Sequence, residues 1–531
     1  MNLYMIIVRS SKCIGIEAVP VNVEVNISSG IGIHLVGLAD AAVKESLLRT
    51  ITALQSRGFH IPGKKIVINL APADIRKNGS IYDLPIALGI IAASGQMSMD
   101  NISNFMILGE LGLDATVRYI PGALPAVELA CNMGMSGCIL PYGAAFEVRE
   151  FAEIPVYGVR HLEDVLKILD NSSNCDEFLA ENLPCDTYCN NMPNNGLASG
   201  GKGNSVQTDD TMDFCDIFGQ PAAKRGLEIA AAGGHNVLMI GPPGSGKSSL
   251  AKATSAILPP MSRREAICTS KIYSITGNGM TLHGLIWKRP FRSPHYSSSI
   301  TSIIGGGYDN ILPGEISLAH NGILFLDEFC EIPRKTIEAL RAPLEERKVT
   351  ISRLKNKVSY PASFILIAAT NPCPCGYYGD GDKCVCSPAK RAGYLSRLSG
   401  PIMDRIDIHL WINPVRSSDL LSKTPEESSR EIAARVMNAR KIQQDRFSSD
   451  GISCNAEMNG RLIRKYCKLD TECRDFMAAL MDRNSLSARA CGRIIKLART
   501  IADLEDAGDI TLKHLGEASR YRLLDKKDLL L

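Results

Sequence analysis

The apolar and polar positions near the start of the chain predict a region that mixes strands with helices. Residues 21–27 alternate like a strand with one buried face, and residues 65–70 form a short apolar strand. Between them, residues 41–57 repeat their apolar positions at helical spacing. Residues 1–168 are therefore predicted to fold as one α/β domain.

The next stretch lacks periodic apolar positions. Residues 171–213 are rich in Asn, Ser, Gly and Asp, and include the turn-forming runs NNG (194–196) and GG (200–201). Such a segment buries too little apolar surface to offset the entropy lost on folding alone. We predict a flexible linker over residues 169–213.

The second half of the chain divides into a sheet region and a helical region. Residues 214–415 alternate strand-like and helix-like segments, the pattern of a parallel sheet covered by helices. Residues 416–531 are mostly helical, most clearly over 427–444 and 488–504. This order predicts a nucleotide-binding type of sheet domain followed by a helical lid.

Length and composition limit the class of protein. A chain of 531 residues is too long for one core, and roughly two to four domains are expected. Apolar residues at 45% and charged residues at 22% are ordinary for a soluble globular protein. A formal charge of +3 neither requires nor excludes nucleic acid, so DNA contacts would come from local basic clusters.

The sequence also predicts a cytoplasmic protein without membrane contact. No window approaches the roughly 18 uninterrupted apolar residues of a transmembrane helix. The apolar start is followed by Arg9 and Lys12 without a small-residue cleavage site, which argues against a secretory signal. The 17 cysteines are scattered through a long chain and are expected to be mostly reduced thiols.

The clearest chemical signal is a glycine-rich loop between an apolar strand at 236–240 and a helix-forming run from Leu250. It fills every fixed position of G-x-x-x-x-G-K-[ST], with the residues Gly241, Pro242, Pro243, Gly244, Ser245, Gly246, Lys247 and Ser248. Glycines let backbone N–H groups surround phosphates, and the helix N-terminus adds partial positive charge. The lysine would reach the β- and γ-phosphates of ATP, and the serine hydroxyl would ligate Mg²⁺.

Acidic and amide residues follow two further buried strands. Asp327 and Glu328 come directly after the strand at 323–326, at the strand end where open parallel sheets bind ligands. Asp327 is predicted to hold Mg²⁺ through water, and Glu328 to orient and deprotonate the attacking water. Asn371 follows the strand at 364–369 and is predicted to hold that water against the γ-phosphate.

Two arginines are candidates to complete the site. Arg405, at the end of the sheet domain, is predicted to project into the next subunit's site as an arginine finger. Arg489, at the start of a lid helix, is predicted to touch the γ-phosphate of its own site. The alternative for each is an ordinary surface ion pair.

Four cysteines form two C-x-C pairs separated by eight residues that include three glycines. Cys373, Cys375, Cys384 and Cys386 would complete a tetrahedral zinc shell if their thiolates came together. The alternative is four reduced thiols in a flexible loop, because most zinc knuckles use C-x-x-C.

A candidate DNA contact precedes the predicted strand at 364–369. Residues 349–359 alternate and turn around Lys355, Asn356 and Lys357, where a hairpin would point into the pore of a ring. The two lysines would grip DNA phosphates, with binding that weakens as salt rises. The alternative is a solvated hairpin tip.

Longer runs of sequence resemble the magnesium-chelatase-like AAA+ proteins of the ComM/YifB family. They are DIFGQ (216–220), AAAGGHN (230–236), PFRSPH (290–295), PGEISLAHNGILFLDE (313–328), NPCPCG (371–376) and LSGP (398–401). The resemblance implies an α/β AAA+ P-loop domain with a C-terminal helical lid, assembled as a hexamer that hydrolyses ATP. Family members are associated with branch migration of recombination intermediates in bacterial natural transformation, so a DNA helicase acting on single-stranded or branched DNA is implied.

Two positions depart from the family pattern. Ser248 stands where threonine is more usual, and Thr370 stands where methionine is more usual. Neither departure should abolish hydrolysis, because a serine hydroxyl also ligates Mg²⁺.

The first domain also resembles this family, in runs such as VGLAD (36–40), NLAPAD (69–74) and GELG (109–112). The resemblance implies a fold similar to the ribosomal S5-like peptidase domain of Lon-type proteases, which uses a serine nucleophile and a lysine base. Pro125 occupies the position of that lysine, and Ser80 is offset from that of the nucleophile. We therefore expect a non-catalytic domain that serves ring assembly or DNA engagement.

These features favour a DNA motor over two alternatives. The first is the ATPase subunit of a chelatase that inserts Mg²⁺ into a porphyrin, but the N-terminal domain and the cysteine loop fit it poorly. The second is a protein-remodelling ATPase, which would present aromatic pore residues where this hairpin offers Lys and Asn.

Overall fold

A computed structural model shows an N-terminal α/β domain, a parallel-sheet domain and a helical C-terminal domain. It describes residues 5–37, 41–77, 79–151, 153–170, 175–184, 212–277, 284–307, 310–352, 357–398, 400–414, 426–484 and 486–522. Most of the predicted linker and Lys355 lie outside these residues. The predicted domain boundaries at 168, 213 and 415 stay predictions.

The N-terminal domain is a mixed sheet flanked by helices. Its strands are β1 (Ile6–Ile14), β2 (Glu17–Ser28), β3 (Gly32–Val36), β4 (Lys65–Ala71), β5 (Phe105–Ile107), β6 (Glu110–Leu111), β7 (Val117–Arg118), β8 (Gly137–Pro141) and β9 (Val156–Val159). Its helices are α1 (Ala41–Ser56), α2 (Asp83–Ala93), α3 (Ala123–Asn132), α4 (Tyr142–Val148) and α5 (Leu162–Leu169). The strands and the helix predicted in this region correspond to β2, β4 and α1.

The strand order of this sheet is β3-β4-β2-β1-β5-β8-β9 among the described residues. In β4, every second residue is buried, namely Ile66, Ile68 and Leu70, because alternate side chains of a strand share one face. Helix α2 lies close to that sheet, since a Cβ added at Gly89 would lie 2.5 Å from Cγ2 of Val25.

The central domain is built around a parallel sheet. Its strands are β10 (Val237–Ile240), β11 (Phe291–Arg292), β12 (Gly305–Gly306), β13 (Leu312–Pro313), β14 (Ile323–Leu326), β15 (Lys348–Ser352), β16 (Lys357–Pro361), β17 (Ile365–Thr370) and β18 (Ile408–Trp411). Its helices are α6 (Pro221–Gly233), α7 (Lys247–Thr254), α8 (Arg263–Ile275), α9 (Ile300–Ile304), α10 (Glu315–Leu318), α11 (Arg334–Ala339), α12 (Arg341–Glu346), α13 (Pro388–Leu395) and α14 (Gly400–Met403).

The main sheet of this domain has the order β11-β14-β17-β10-β18, with every neighbouring pair parallel. Each residue of β10, β14 and β17 is buried, because helices cover both faces of such a sheet. The continuous apolar runs in the sequence therefore follow from burial on two sides. The predicted α/β class with a parallel sheet is confirmed.

The C-terminal domain is helical and shares a core with the sheet domain. Its helices are α15 (Ser429–Arg446), α16 (Gly460–Tyr466), α17 (Thr471–Asn484), α18 (Ala488–Leu504) and α19 (Leu512–Arg520). Ile494, Leu497 and Ile501 on α18 belong to the same apolar cluster as Leu227 on α6 and Val237 on β10. None of the described helices combines the length and apolar character needed to span a membrane.

The N-terminal domain docks on α8 of the sheet domain. The backbone N–H of Gly122 donates to the carbonyl of Ser274 at 3.0 Å, and that of Leu124 donates to the Ser274 hydroxyl at 3.3 Å. Oε2 of Glu150 accepts from the backbone N–H of Leu285 at 3.3 Å. These bonds join the first domain to the motor domain directly.

Candidate active site

Three neighbouring strands end at one edge of the parallel sheet, and each is followed by a residue predicted for the site. Strand β17 pairs with β10 on one side and with β14 on the other, and all three run in the same direction. The residues after them are Gly241, Asp327 and Asn371. Parallel strands therefore bring together three segments that are far apart in sequence.

The glycine-rich loop adopts a conformation that needs its glycines. Gly244 and Gly246 have φ values of +77° and +86°, in the left-handed region that glycine populates readily. A Cβ added at Gly241 would lie 2.4 Å from the carbonyl oxygen of Ile412. Helix α7 begins at Lys247, so the free N–H groups of its first turn border the loop.

Lys247 is held inside the loop, with 8% of its surface exposed. Its ammonium donates to the carbonyl oxygens of Gly241 at 2.7 Å and Pro242 at 2.8 Å. Burial lowers the pKa of this lysine, and the nearby Asp327 carboxylate acts in the opposite direction. A cation in this position is close to any phosphate that enters the loop.

The two predicted Mg²⁺ ligands lie together. The Ser248 hydroxyl donates to Oδ2 of Asp327 at 3.0 Å, while Oδ1 accepts from the backbone N–H of Glu328 at 2.9 Å. Hydroxyl and carboxylate oxygens are the hard donors that Mg²⁺ prefers. The oxygen pair therefore fits such an ion.

Glu328 is exposed and has a φ of +49°. A left-handed backbone is uncommon for a residue other than glycine, and such strain is frequent at functional sites. The backbone conformation turns the chain directly after Asp327, at the edge where the phosphate loop lies. Its predicted role as general base stays a prediction.

Asn371 begins a loop that packs against the phosphate loop. A Cβ added at Gly376 would lie 3.0 Å from Cδ of Pro243 and 3.9 Å from Cγ of Asn371. Gly376 has a φ of +86°, which favours glycine at this contact. The amide predicted to hold the lytic water is therefore adjacent to the loop around Lys247.

Arg405 is bound within its own chain, with 8% of its surface exposed. Its guanidinium donates to the carbonyl oxygens of Arg341 at 3.1 Å and Pro401 at 2.6 Å, and pairs with the carboxylate of Glu345. An arginine finger at this position would have to exchange these three acceptors for a phosphate. The predicted finger role stays a prediction.

Arg489, one helical turn before Arg493 on α18, lies close enough to Glu345 for its charge to act on that carboxylate. The hydrogen bond from Arg405 and the charges of Arg405, Arg489 and Arg493 lower the pKa of Glu345. Arg493 pairs with Asp407, which directly precedes β18, and β18 runs parallel to β10. The predicted contact of Arg489 with the γ-phosphate of its own site stays a prediction.

The four predicted zinc ligands come together. The sulfur atoms of Cys373, Cys375, Cys384 and Cys386 lie within 4.8 Å of one another, and all four are free thiols. The distances between sulfur atoms are 3.3 Å for 373–375, 3.8 Å for 373–384 and 3.7 Å for 375–384. A hydrogen bond from the backbone N–H of Tyr377 lowers the pKa of Cys375 to about 6.

The predicted hairpin is present, with β15 and β16 paired antiparallel. Val349, Ile351, Val358 and Tyr360 point toward the core, which leaves the alternate positions facing outward. Lys357 is exposed at the start of β16. The second predicted DNA contact, at position 355, lies outside the described residues.

In the N-terminal domain, Ser80 is not paired with a lysine. Its hydroxyl donates to the carboxylate of Glu110, and Pro125 is buried within α3. Lys77, close by in sequence, is buried and donates to the carbonyl of Pro72. Among the described residues of this domain, the nucleophile–base contact of a Ser–Lys peptidase is not found at Ser80.

Sequence reasoning missed Glu345, the acid that binds Arg405. It carries no motif signal, because Glu345 and Glu346 look like the solvated face of a short helix. It also missed the contact between Gly376 and Pro243, which joins two loops more than a hundred residues apart. Only the fold reveals such pairs.

Three family models match this chain. Magnesium chelatase, subunit ChlI, matches residues 213–420, and Subunit ChlI of Mg-chelatase matches residues 23–144. Magnesium chelatase, subunit ChlI C-terminal, matches residues 426–522. The matches cover the sheet domain, most of the N-terminal domain and the helical domain.

Individual relatives match over nearly the full length. The YifB protein of Salmonella typhimurium is 41% identical over 523 residues, covering 98% of this chain and 97% of the relative. Competence protein ComM of Haemophilus influenzae is 40% identical over 522 residues, with the same coverage. A shorter match, 26% identical over 208 residues, joins 38% of this chain to 27% of the probable DNA helicase MCM9 of Arabidopsis thaliana. The chain belongs to the ComM/YifB family of magnesium-chelatase-like AAA+ proteins.

Proposed function

We propose that this chain is an ATP-hydrolysing DNA motor that assembles as a hexameric ring and drives branch migration of recombination intermediates in natural transformation. Its family supports ATP hydrolysis in general. The contact between Ser248 and Asp327, at 3.0 Å beside the buried Lys247, supports the proposed ATPase most strongly. It brings the two proposed oxygen ligands of Mg²⁺ together, next in sequence to the lysine proposed to bind phosphate.

The hydrolytic step follows from these positions. Lys247 and the N–H groups of the loop would bind the β- and γ-phosphates, while Ser248 and Asp327 would hold Mg²⁺, Asp327 through water. When bound, Mg²⁺ neutralises charge on the phosphate oxygens. Glu328 would accept a proton from the water that attacks the γ-phosphorus, and Asn371 would hold that water in line. The bond between the γ-phosphorus and the oxygen that bridges it to the β-phosphorus breaks, and ADP and inorganic phosphate are the products.

The placement of two arginines supports a ring. The carbonyl of Arg405 accepts a hydrogen bond from Asn236, which directly precedes β10, and the charges of Arg405 and Arg489 both act on Glu345. We propose that each arginine acts on a site in another subunit. A neighbour whose phosphate loop faces these arginines would receive both guanidinium groups. The transferring phosphoryl group carries negative charge that an arginine from a second subunit stabilises.

The hairpin and the names of the relatives support DNA as the partner. Lys357 is exposed on β16, and binding through Lys355 and Lys357 would be electrostatic and sensitive to salt. The N-terminal domain reaches the same hairpin, since a Cβ added at Gly15 would lie 3.0 Å from Cγ1 of Val358. We therefore propose that this domain takes part in ring assembly or DNA engagement and has no peptidase activity.

We further propose that the four cysteines hold one structural Zn²⁺. A tetrahedron with zinc–sulfur bonds of about 2.3 Å places its sulfur atoms about 3.8 Å apart. The distances of 3.8 Å and 3.7 Å fit this spacing, and the 3.3 Å pair needs only a small expansion. All four ligands come from the protein, as in a closed structural site.

ATP turnover measured with and without a four-way DNA junction tests the motor. We expect the junction to raise the rate, and we expect ATP hydrolysis to move the branch point when labelled strands are followed by gel. Single-stranded and linear duplex DNA show which structure stimulates best. An ATPase rate that none of these three kinds of DNA changes would contradict the proposal.

A second function is favoured by the family models, all of which carry the description of a magnesium chelatase subunit. An ATPase subunit of a metal-insertion complex would hydrolyse ATP at a rate that DNA does not change. The comparison of ATP turnover with and without DNA therefore separates the two functions. Porphyrin metalation by a reconstituted complex would be its positive test.

A further inference from the structure

The four-cysteine cluster is continuous with the candidate ATP site. Cys373 and Cys375 lie on the segment that leaves β17 through Asn371. Cys373 is fully buried, so this segment is fixed where it leaves the sheet. Cys373 would bind an ion only two residues along the chain from Asn371, the amide proposed to hold the lytic water.

The loop between the two cysteine pairs packs against the phosphate loop and the end of β18. Gly376 contacts Pro243 of the phosphate loop closely enough that a Cβ would lie 3.0 Å away. Gly379 lies over Trp411 at the end of β18, where a Cβ would lie 3.3 Å from the indole ring. The ring of Tyr378 meets the same indole edge-on, with 6.1 Å between centroids.

The second cysteine pair leads into the segment that contacts the acidic strand end. Cys386 accepts a hydrogen bond at its carbonyl from Arg391 of α13 at 3.3 Å. Just after α13, Arg397 donates to the carboxylate of Glu331 at 3.0 Å, three residues beyond Glu328. An ion that joins the two pairs would therefore tie the segment of Asn371 to the segment beside the proposed general base.

We infer that metal occupancy of the four-cysteine cluster sets the rate of ATP hydrolysis by positioning Asn371 and the phosphate loop. The inference rests on the proposed Zn²⁺ site and assigns it a role in the proposed ATPase. The cysteines act as positioning residues, because the zinc would contact neither ATP nor the attacking water.

The expected consequence is a loss of rate that exceeds the loss of nucleotide binding. Without the ion, the loop keeps its packing on Pro243 and Trp411 but loses the link between the two cysteine pairs, so Asn371 would be positioned less precisely. Misplacing a reacting group by about 1 Å can cost about 100-fold in rate. The phosphate-binding groups of Lys247 and α7 remain, so ATP affinity should change far less.

The test uses the full chain and the variant Cys384→Ser/Cys386→Ser. The wild type should contain one zinc per chain by elemental analysis, and the variant should contain almost none. We expect kcat for ATP to fall by about 10-fold to 100-fold in the variant. The affinity for a fluorescent ATP analogue, measured by titration, should change by less than about 3-fold, because the phosphate loop is intact.

A conservative variant separates loss of metal from loss of folding. Cys384→His keeps a zinc ligand, so it should retain zinc and most of kcat. Cobalt substitution of the wild type should give the absorption of thiolate-bound Co²⁺, a readout independent of ATP turnover. Cys131→Ser, which replaces a partly buried thiol on α3 of the other domain, should retain both zinc and rate.

The outcomes are distinct. Iron, or no metal, in the purified wild type would overturn the zinc site and the inference with it. Zinc lost from the double-serine variant with kcat unchanged would overturn the inference and leave the zinc site standing. Equal losses of rate in the serine and histidine variants, with zinc retained by the latter, would also overturn it. A wild type that binds zinc and does not hydrolyse ATP would instead contradict the proposed ATPase.

Discussion

The two edges of the parallel sheet in the central domain both carry charged residues, but these residues differ in their exposure and in their partners. At the carboxyl edge, Ser248 and Glu328 are exposed and Asp327 is partly exposed. At the amino edge, Asp407 is 5% exposed and is surrounded by partners. Its carboxylate pairs with Arg493 and lies 3.4 Å from Nδ1 of His235.

The difference distinguishes groups arranged for a ligand from groups that neutralise one another. Burial alone raises the pKa of Asp407, but Arg493, His235 and Lys496 more than reverse this and hold it well below its usual range. The carboxylate of Asp407 therefore has its partners within one chain. The groups at the carboxyl edge instead border solvent, where a phosphate and its metal ion would complete their interactions.

The largest effect should come from removing the cation of the carboxyl edge. Lys247→Ala deletes the ammonium that the loop holds, so both ATP binding and hydrolysis should fall below detection. Binding of a fluorescent nucleotide and release of phosphate measure the two losses. Lys252→Ala, an exposed lysine on the same helix, should behave like the wild type.

Removing the proposed base should separate chemistry from binding. Glu328→Gln should slow hydrolysis by about 10² to 10⁴, because general base catalysis contributes that much, while ATP binding persists. Rapid-quench hydrolysis and nucleotide titration on the same preparation test this. Glu346→Gln, an exposed acid on α12, serves as the control, and equal rates for the two variants would refute the assignment of Glu328.

Mixing variants should show that the arginines work between subunits. Arg405→Ala and Lys247→Ala should each be nearly inactive alone, because one lacks the finger and the other the nucleotide. Mixed rings place an intact Arg405 beside an intact Lys247, so part of the ATPase activity should return. The same experiment with Arg489→Ala tests the second arginine, and failure of any mixture to recover would argue for action within one chain.

Two acids at opposite edges should give opposite phenotypes. Asp327→Asn should abolish hydrolysis with little change in unfolding free energy. Asp407→Asn should destabilise the chain by roughly 3 kcal/mol, the cost of removing one partner of a buried ion pair. Urea unfolding at neutral pH measures both.

The pH dependence of the Asp407 pair has a defined sign. The pKa of Asp407 is lower in the folded chain than in the unfolded chain. Its contribution to the free energy of unfolding is therefore fully present at pH values above the unfolded pKa, and it is lost as the pH falls from there toward the folded pKa. The stability gap between wild type and Asp407→Asn should therefore narrow below about pH 4, near the unfolded pKa of aspartate. A gap that stays constant from neutral to acid pH would contradict this account.

The smallest effect should come from the hairpin. Lys357→Ala should weaken DNA binding several-fold and reduce the salt dependence of log K by about one, the loss of one phosphate contact. Fluorescence anisotropy over a range of salt concentrations measures the slope. Lys348→Ala, an exposed lysine at the base of the same hairpin, should leave the slope unchanged.

Much of the fold and part of the site were predictable because they depend on local patterns. The apolar runs of β10, β14 and β17 predicted a parallel sheet, and the glycine-rich loop that ends in Lys247 predicted a nucleotide as the ligand of that sheet. The C-x-C pairs gave a metal hypothesis, since four thiols within one short segment are expected to lie close together in space. The partner of Arg405 was not predictable, because its contact with Glu345 depends on how α12 packs beside the segment that precedes β18.

The sequence by itself determined the candidate residues for phosphate, metal and water chemistry, because each of them follows a strand or a short motif within a few residues. Only the tertiary structure decided which of these groups meet. Packing put Pro243 against Gly376, paired Arg405 with Glu345, and brought the charge of Arg489 close to the same carboxylate. Contacts between distant segments depend on the closed arrangement of helices and strands, and no local pattern encodes that arrangement.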